Sequence, residues 1–274
     1  MSTKKGLQQE TLDPALRVRP LVRWGVLAYF LYIAVFYGIY VLNGIDYTQV
    51  GESERTLLLG YVATLSGGAI LTLTVVTIYG WWLPALVERQ NLSRWTMTFP
   101  IIMAVIAILN MLIGDFTRVT PLMWLYLVIG SILVGFNEEM IHRGQLIVAL
   151  RSRFGETGVW LLSTAMFAVF HLPGMFLGLG AGALFQVVMA FGLGSIFYLA
   201  RRSTGSLVAS MFLHGLWDFS VFSTHNSSFH LAGILAPLLA IAAAITVPII
   251  LRREKRRDSM KRVIQENRRM GNLH

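Results

Sequence analysis

At residues 137–143 the chain reads Asn-Glu-Glu-Met-Ile-His-Arg, directly after an apolar run from Pro121 to Phe136. The run has the composition of a membrane-buried helix. A charged side chain at the centre of a bilayer costs about 2.5–3.5 kcal/mol on insertion scales, so charges inside membrane spans are rare and commonly functional. Glu138, Glu139 and Arg143 therefore mark the stretch around which we expect the rest of the chain to be organised.

The composition of the chain predicts a multi-span membrane protein. Hydrophobic residues make up 55% and charged residues 14% of its 274 residues, whereas a soluble domain carries about 25% charged residues. Only helices and closed barrels satisfy backbone polar groups in lipid, so we expect an all-α bundle. The chain has no cysteine, which excludes disulfides, thiolate metal sites and a cysteine nucleophile.

Apolar segments predict a polytopic bundle of about eight transmembrane helices over residues 22–251. The eight predicted spans run about Trp24–Leu42, Leu57–Trp81, Pro100–Ile113 (or from Trp95), Pro121–Leu150, Gly158–His171, Ala183–Ala200, Ser206–Phe222 and Leu231–Leu251. Residues 1–21 are predicted to form a cytoplasmic tail, and residues 252–274 a basic cytoplasmic tail. Each link is named by the two spans that it joins, so that link 2–3 connects the second span to the third.

The distribution of lysine and arginine predicts the orientation. Arginines lie in links 2–3, 4–5 and 6–7, and both tails carry lysine and arginine, while links 1–2, 5–6 and 7–8 have almost none. Cytoplasmic loops carry the excess of these residues, so we expect both termini in the cytoplasm. The short loops favour a bacterial plasma membrane. The basic tail is expected to contact anionic lipid headgroups. No nucleic-acid partner is expected, because no nucleic-acid-binding fold accompanies the charge.

Three spans carry polar or aromatic residues spaced four apart, and such residues share one face of a helix. The pairs are Glu138–His142, Glu139–Arg143, Phe167–His171 and His214–Asp218. Polar side chains in a bilayer pair with each other or line a wet cavity, so we expect one shared cavity. Glu138 lies late in an outside-to-inside span and His214 early in an inside-to-outside span, which predicts a cavity that opens toward the cytoplasm. His142 is expected to face a neighbouring helix or solvent.

Two kinds of chemistry fit such a cavity. In one, His171, His214 and Glu138 bind a divalent metal such as Zn²⁺, which activates water and polarises a carbonyl. In the other there is no metal: Glu138 acts as a general base on water, and a histidine and Asp218 hold the developing oxyanion or orient the base. Both lead to peptide-bond hydrolysis. Arg143 is expected to keep Glu139 ionised and to fix the helix.

The motifs resemble those of the CPBP family of intramembrane proteases, which includes the type II CAAX prenyl endopeptidases and the Abi proteins. That pattern is Glu-Glu-x-x-x-Arg, Phe-x-x-x-His and His-x-x-x-Asn/Asp on separate helices, and the protease core is expected at about residues 121–225. The resemblance implies the candidate catalytic residues Glu138, Glu139, Arg143, His171, His214 and Asp218. Eukaryotic prenyl endopeptidases have Asn where this chain has Asp218, and an Asp donates a hydrogen bond only when it is protonated.

Two other functions remain open from the sequence. Buried Glu, His and Asp side chains also serve proton relays in transporters, although we detect none of the inverted repeats that are typical of such proteins. A non-catalytic scaffold or immunity protein is the second alternative. For the protease, the expected substrate is a peptide, a lipidated tail or a membrane protein. A Glu138→Gln change separates these functions, because only an enzyme loses turnover.

Overall fold

The computed structural model describes residues 16–88 and 92–271. Most of the predicted N-terminal tail, Arg89 of link 2–3 and residues 272–274 lie outside the described residues. The principal helices of this part are α1 Val22–Asn43, α2 Glu54–Tyr79, α3 Arg94–Leu112, α4 Pro121–Leu150, α5 Glu156–Phe170, α6 Gly182–Thr204, α7 Leu207–Ser223 and α8 Leu231–Gly271. Over the same residues there is no β-strand, only a single bridge between Val87 and Ser206. The predicted all-α polytopic bundle is confirmed.

Seven of the described helices are long and apolar enough to cross a membrane, α5 when the 3₁₀ turn that extends it to Phe176 is included, and α7 is the shorter exception. It has 17 residues, which is about 25 Å of helix at 1.5 Å per residue. It nevertheless runs the length of the bundle. At its start Ser206 pairs with Val87, and just past its other end the Ser227 hydroxyl accepts a hydrogen bond from the Asp115 amide at 2.7 Å.

Two helices extend beyond their predicted bounds. A 3₁₀ turn at Arg94–Met97 lengthens α3, which gives this span the extra length that its apolar core lacked. Helix α8 continues past Leu251 to Gly271 and contains Pro237 and Pro248. The residues that follow Leu251 are mostly Arg, Lys and Glu, which are strong helix formers, so no stop signal separates the last span from the basic segment.

The links gather at two opposite ends of the bundle. The acidic end consists of residues 44–56, 113–120, 171–181 and 224–230; there the Tyr47 amide donates to the Leu177 carbonyl at 2.7 Å. The arginine end consists of residues 16–23, 80–88, 92–94, 151–156 and 201–206. Its links are joined by an ion pair between Arg151 and Glu88 at 2.8 Å and by a backbone hydrogen bond from Glu88 to Gly205 at 2.9 Å.

Helices α4 and α7 touch at their backbones through two glycines. A Cβ atom at Gly135 would lie 2.3 Å from the carbonyl oxygen of Met211, and one at Gly215 would lie 2.6 Å from that of Ser131. Small residues of this kind let helices in membranes approach closely. The contact brings the end of the apolar part of α4 beside the middle of α7, and so places the glutamates of α4 next to His214.

Helix α1 carries no recognised motif but supplies an aromatic wall beside α5. The Tyr37 hydroxyl donates to the Phe170 carbonyl at 2.5 Å, and the Tyr29 hydroxyl donates to the Met166 carbonyl at 2.8 Å. The Phe170 carbonyl belongs to the last turn of α5, where backbone acceptors have no partner within the helix, and Met166 lies one turn earlier. The two tyrosines therefore hold the end of α5, and with it His171, against α1.

Candidate active site

The two adjacent glutamates of α4 have different surroundings. Glu139 is fully buried and forms an ion pair with Arg143 at 2.9 Å. Its other oxygen accepts a hydrogen bond from the Ser210 hydroxyl at 2.5 Å, and Nδ1 of His214 lies 2.9 Å from Oε1. Since a carboxylate only accepts, Nδ1 of His214 carries the proton of that bond. Both oxygens of Glu139 are thus engaged by the protein.

Glu138 lies on the wall of a cavity of about 220 Å³. Its side chain is nearly buried, and its Oε2 atom has no hydrogen-bond partner among the described residues. A buried carboxylate oxygen without a partner is costly, about 1–3 kcal/mol or more for a charged group. Proteins tolerate such groups mainly where a ligand, a water or a reaction uses them.

The structure brings four of the predicted catalytic residues to this one cavity. Glu138, His171, His214 and Asp218 line it, while Glu139 and Arg143 lie behind the wall. The other wall residues are mostly aromatic or aliphatic, among them Phe36, Tyr40, Tyr61, Phe197, Trp217 and Phe222. A chiefly apolar cavity with a few convergent polar groups is the usual form of a substrate site.

The cavity extends from Glu138 toward the acidic end. On the other side, residues 140–150 of α4 are all buried, and the space beside Gly144 is filled by Leu207 and Ala85. The cavity therefore does not lead to the arginine end, the face that the sequence predicts to be cytoplasmic; an opening toward the cytoplasm stays a prediction, because it also depends on the orientation in the membrane. The position of a residue along its helix indicates its depth but not the direction in which neighbouring helices leave space.

Phe167 connects the two cavity histidines. Its ring centre lies 5.1 Å from that of His171 and 5.7 Å from that of His214. The guanidinium carbon of Arg143 sits 3.9 Å from the same ring, on its face, an arrangement that favours a cation. Nδ1 of His171 lies 2.9 Å from the Phe167 carbonyl oxygen, so Nε2 is the ring nitrogen left for the cavity.

The remaining predicted pairs behave differently. His142 is fully buried and is not part of the cavity wall; its Nδ1 lies 2.7 Å from the carbonyl oxygen of Glu138 rather than from the carboxylate. It faces neighbouring helices rather than solvent, one of the two surroundings expected for it, and packs against Tyr29 and Phe167. Nε2 of His214 and Oδ1 of Asp218 are 3.8 Å apart, which is too long for a direct hydrogen bond.

Part of the chain is similar to a known protein family. Residues 120–220 match the family described as type II CAAX prenyl endopeptidase, Rce1-like. Over these residues the chain is similar to a CAAX protease domain. The match runs from the start of α4 through most of α7 and contains all three motifs, so the predicted family resemblance is confirmed and supports a CAAX-type intramembrane protease. No curated protein matches the chain.

Three residues around the site were missed by the sequence patterns. Ser210 precedes His214 by four positions on α7, so the same spacing rule could have revealed it. Gly194 of α6 faces Arg143, and a Cβ atom there would lie 2.5 Å from the guanidinium. Arg201, assigned from sequence to a link, is buried and donates hydrogen bonds to the carbonyls of Arg143 and Pro84. No local pattern indicates the last two contacts, because they join distant segments.

The arrangement does not provide a metal site. Among residues 16–88 and 92–271, no group of three or more His, Asp or Glu side chains is placed to hold a metal ion. Glu138, His171 and His214, the predicted ligands, share the cavity but do not form such a group. We therefore derive no step through a metal, and the zinc alternative stays a prediction.

Proposed function

We propose that the protein is an intramembrane endopeptidase in which Glu138 activates water for hydrolysis of a peptide bond. The observation that carries the proposal is the contrast between the two glutamates. Glu139 is engaged by Arg143, Ser210 and His214, whereas Glu138 lines the cavity, and no described group bonds its buried Oε2 atom. A general base must reach water, and the 5% of Glu138 that remains exposed allows this contact at the cavity wall.

In the proposed reaction, Glu138 takes a proton from a water molecule as the water oxygen attacks the carbonyl carbon of the substrate. The carbonyl electrons move to its oxygen and form an oxyanion. When the C–N bond breaks, the oxyanion collapses to the new carboxylic acid, and Glu138 returns its proton to the leaving amine. His171 lies on the same wall with Nε2 available, and its proposed role is to orient the attacking water.

His214 and Asp218 in its protonated form, in which it can donate a hydrogen bond, are proposed to stabilise the oxyanion. The bond from Nδ1 of His214 to Glu139 fixes the ring so that Nε2 points toward Asp218 and the cavity. In its protonated form the ring donates through Nε2, and the Glu139 carboxylate then balances its positive charge. Glu139, Arg143 and Ser210 thus act as positioning residues, comparable to the outer groups that orient histidines in other active sites.

The apolar wall indicates the kind of substrate. Tyr40, Tyr61, Trp217 and Phe222 offer aromatic surface beside the polar group of residues. We propose that the peptide presents an apolar or aromatic side chain, or a lipid-modified one, to this surface. Small peptides, lipidated tails and membrane proteins are the substrate classes to test.

The first test compares peptides released from membranes that contain the natural protein or Glu138→Gln, by mass spectrometry at matched protein levels. Exposed Glu52 at the acidic end gives the matched control, Glu52→Gln. We expect specific fragments from the natural protein and from Glu52→Gln. Glu138→Gln should reduce the rate of fragment release by about 10²-fold or more, the lower end of the range for general-base catalysis. Identical fragments from all three would reject the proposal.

The same assay with a metal chelator separates the two chemistries. Because no proposed step uses a metal, turnover should persist in the chelator. Loss of turnover that is restored by added Zn²⁺ would support the metal alternative and overturn the glutamate-only mechanism.

A further inference from the structure

The side from which substrate reaches Glu138 can be read from the cavity wall. Beyond the polar residues, the wall is built by the parts of the bundle nearest the acidic end. It includes the last turn of α1, link 1–2, the first turns of α2 and α6, and the last turns of α7, with Tyr40, Tyr47, Val50, Gly60, Gln186 and Val221 as examples. No residue of the arginine end lines the cavity.

The polar residues of the wall become more exposed in the same direction, whereas the apolar wall residues Tyr40, Val50 and Tyr61 stay buried. Glu139 is 0% exposed and Glu138 5% exposed. The Asp218 side chain, one turn further along α7, is 21% exposed, and Tyr47 and Gln186 at the outer part of the wall are half-buried. Nε2 of Gln186 donates to the Tyr47 hydroxyl at 3.3 Å, which joins α6 to link 1–2 at the outer part of the wall, here called the mouth.

The acidic end also has the charge of a non-cytoplasmic face. Its residues include four carboxylates, Asp46, Glu52, Glu54 and Asp115, and two arginines. The Thr48 hydroxyl and amide lower the pKa of Asp46, and the Thr117 amide lowers the pKa of Asp115, so both stay ionised at neutral pH. The described cations concentrate at the opposite end, in Arg17, Arg19, Arg23, Arg94, Arg151, Arg153, Arg201 and Arg202.

Excess lysine and arginine mark the cytoplasmic side of a membrane protein. The charge distribution therefore places the arginine end in the cytoplasm and the acidic end outside it. Combined with the direction of the cavity, this orientation turns the mouth away from the cytoplasm, while the packed residues 140–150 of α4 close the cytoplasmic side.

We infer that the site takes its substrate from the non-cytoplasmic side of the membrane. The inference rests on the proposed function and specifies its substrate class: an exported peptide, or the outer flank of a membrane protein, that inserts an apolar side chain between α1, α6 and α7. A peptide confined to the cytoplasm would meet the closed, arginine-rich end and would not reach Glu138.

The absence of cysteine from the chain permits a direct test, because each introduced cysteine is the single thiol. Thr48→Cys marks the acidic end, Met189→Cys lies on the cavity wall, and Ser152→Cys marks the exposed surface of the arginine end. Intact bacterial cells that express each variant are treated with a small, charged, membrane-impermeant thiol reagent. The same labelling is then repeated on opened membranes.

We expect Thr48→Cys and Met189→Cys to react in intact cells, and Ser152→Cys to react at least 10-fold faster once the membranes are opened. Val221→Cys, on the opposite wall, repeats the cavity measurement should Met189→Cys fail to fold. Reaction of the cavity cysteines only in opened membranes overturns the inference. So does a lack of reaction at both cavity positions from either side.

The labelling does not depend on turnover, so the two proposals can fail separately. If the cavity cysteines react from outside but Glu138→Gln changes no peptide profile, the opening stands and the protease function fails. If Glu138→Gln abolishes cleavage but the cavity reacts only from the cytoplasmic side, the function stands and the direction of access fails.

Discussion

At the scale of single residues, the adjacent glutamates Glu138 and Glu139 have different surroundings and different expected roles. Glu139 and Arg143 are both fully buried and paired at 2.9 Å. Removing one partner of a buried pair leaves an uncompensated charge, which costs about 3–5 kcal/mol. Glu138 has no such partner among the described residues and faces the cavity. Loss of its charge should therefore affect chemistry more than stability.

This difference gives a prediction for a pair of isosteric variants. Glu139→Gln should lower the free energy of unfolding by about 3–5 kcal/mol, because it leaves Arg143 charged and buried without its counterion. Glu138→Gln should leave that free energy within about 1 kcal/mol of the natural value, as for a change that breaks no described contact. Denaturant titration in a mild detergent measures both. Equal destabilisation by the two variants would contradict the separate roles.

At the scale of elements, the close contact of α4 with α7 sets the geometry of the site. The glycines at positions 135 and 215 allow the two backbones to touch, and the contact brings Glu139 within 2.9 Å of His214. Immediately after Glu139, α4 continues through π-helical turns at Met140–Gln145. Such turns are frequent at functional sites, and here they contain Arg143.

Gly135→Ala tests the helix contact. The added methyl group would meet the Met211 carbonyl at 2.3 Å, so α4 and α7 must separate. Overpacking of this kind costs about 1–3 kcal/mol, and we expect turnover to fall because His214 moves away from Glu139. Thermal unfolding and the peptide-release assay measure the two effects.

The matched control for this prediction is Gly38→Ala in α1. No atom lies within 4 Å of a Cβ there, and alanine in a helix interior is more favourable than glycine by about 0.5–1 kcal/mol. This variant should be slightly stabilised and fully active. A fully active Gly135→Ala protein would show that the close contact is not required for catalysis.

At the scale of the whole molecule, the alternation of links between two ends gives the protein an electrical polarity. The apolar part of helix α8 finishes at the arginine end, and the helix continues beyond it as a basic segment to Gly271. Each lysine or arginine near an anionic membrane surface contributes about 1 kcal/mol of attraction. Because α8 continues without a break past Leu251, we propose that the basic residues in its first turns beyond Leu251 contact the cytoplasmic headgroups.

An environment-sensitive fluorophore on Met260→Cys, an exposed position of α8, tests this contact in lipid nanodiscs. The emission should shift to the blue in discs with anionic lipid but not in neutral discs. High salt should reverse the shift, because a Debye length of about 3 Å at 1 M screens the attraction. The same fluorophore on Thr48→Cys serves as the control at the acidic end. An emission wavelength that changes with neither lipid charge nor salt concentration would disprove the contact.

Local rules determined the framework of this protein from the sequence alone. Apolar length predicted the spans, and i, i+4 spacing predicted the Glu139–Arg143 pair, which the structure shows at 2.9 Å. These features were predictable because hydrophobic length and helical periodicity depend only on neighbours in the chain. The same rules predicted which motifs would face one cavity, and Glu138, His171 and His214 do line it.

Only the tertiary structure decided which glutamate is engaged and where the cavity opens. Glu139 is held by Ser210 and His214, which are 71 and 75 positions away in the chain. The cavity opens toward the acidic end because residues 140–150 are packed on the other side. Periodicity shows which residues share a face of a helix, but the close packing of distant glycines and aromatic rings determines which neighbour that face meets.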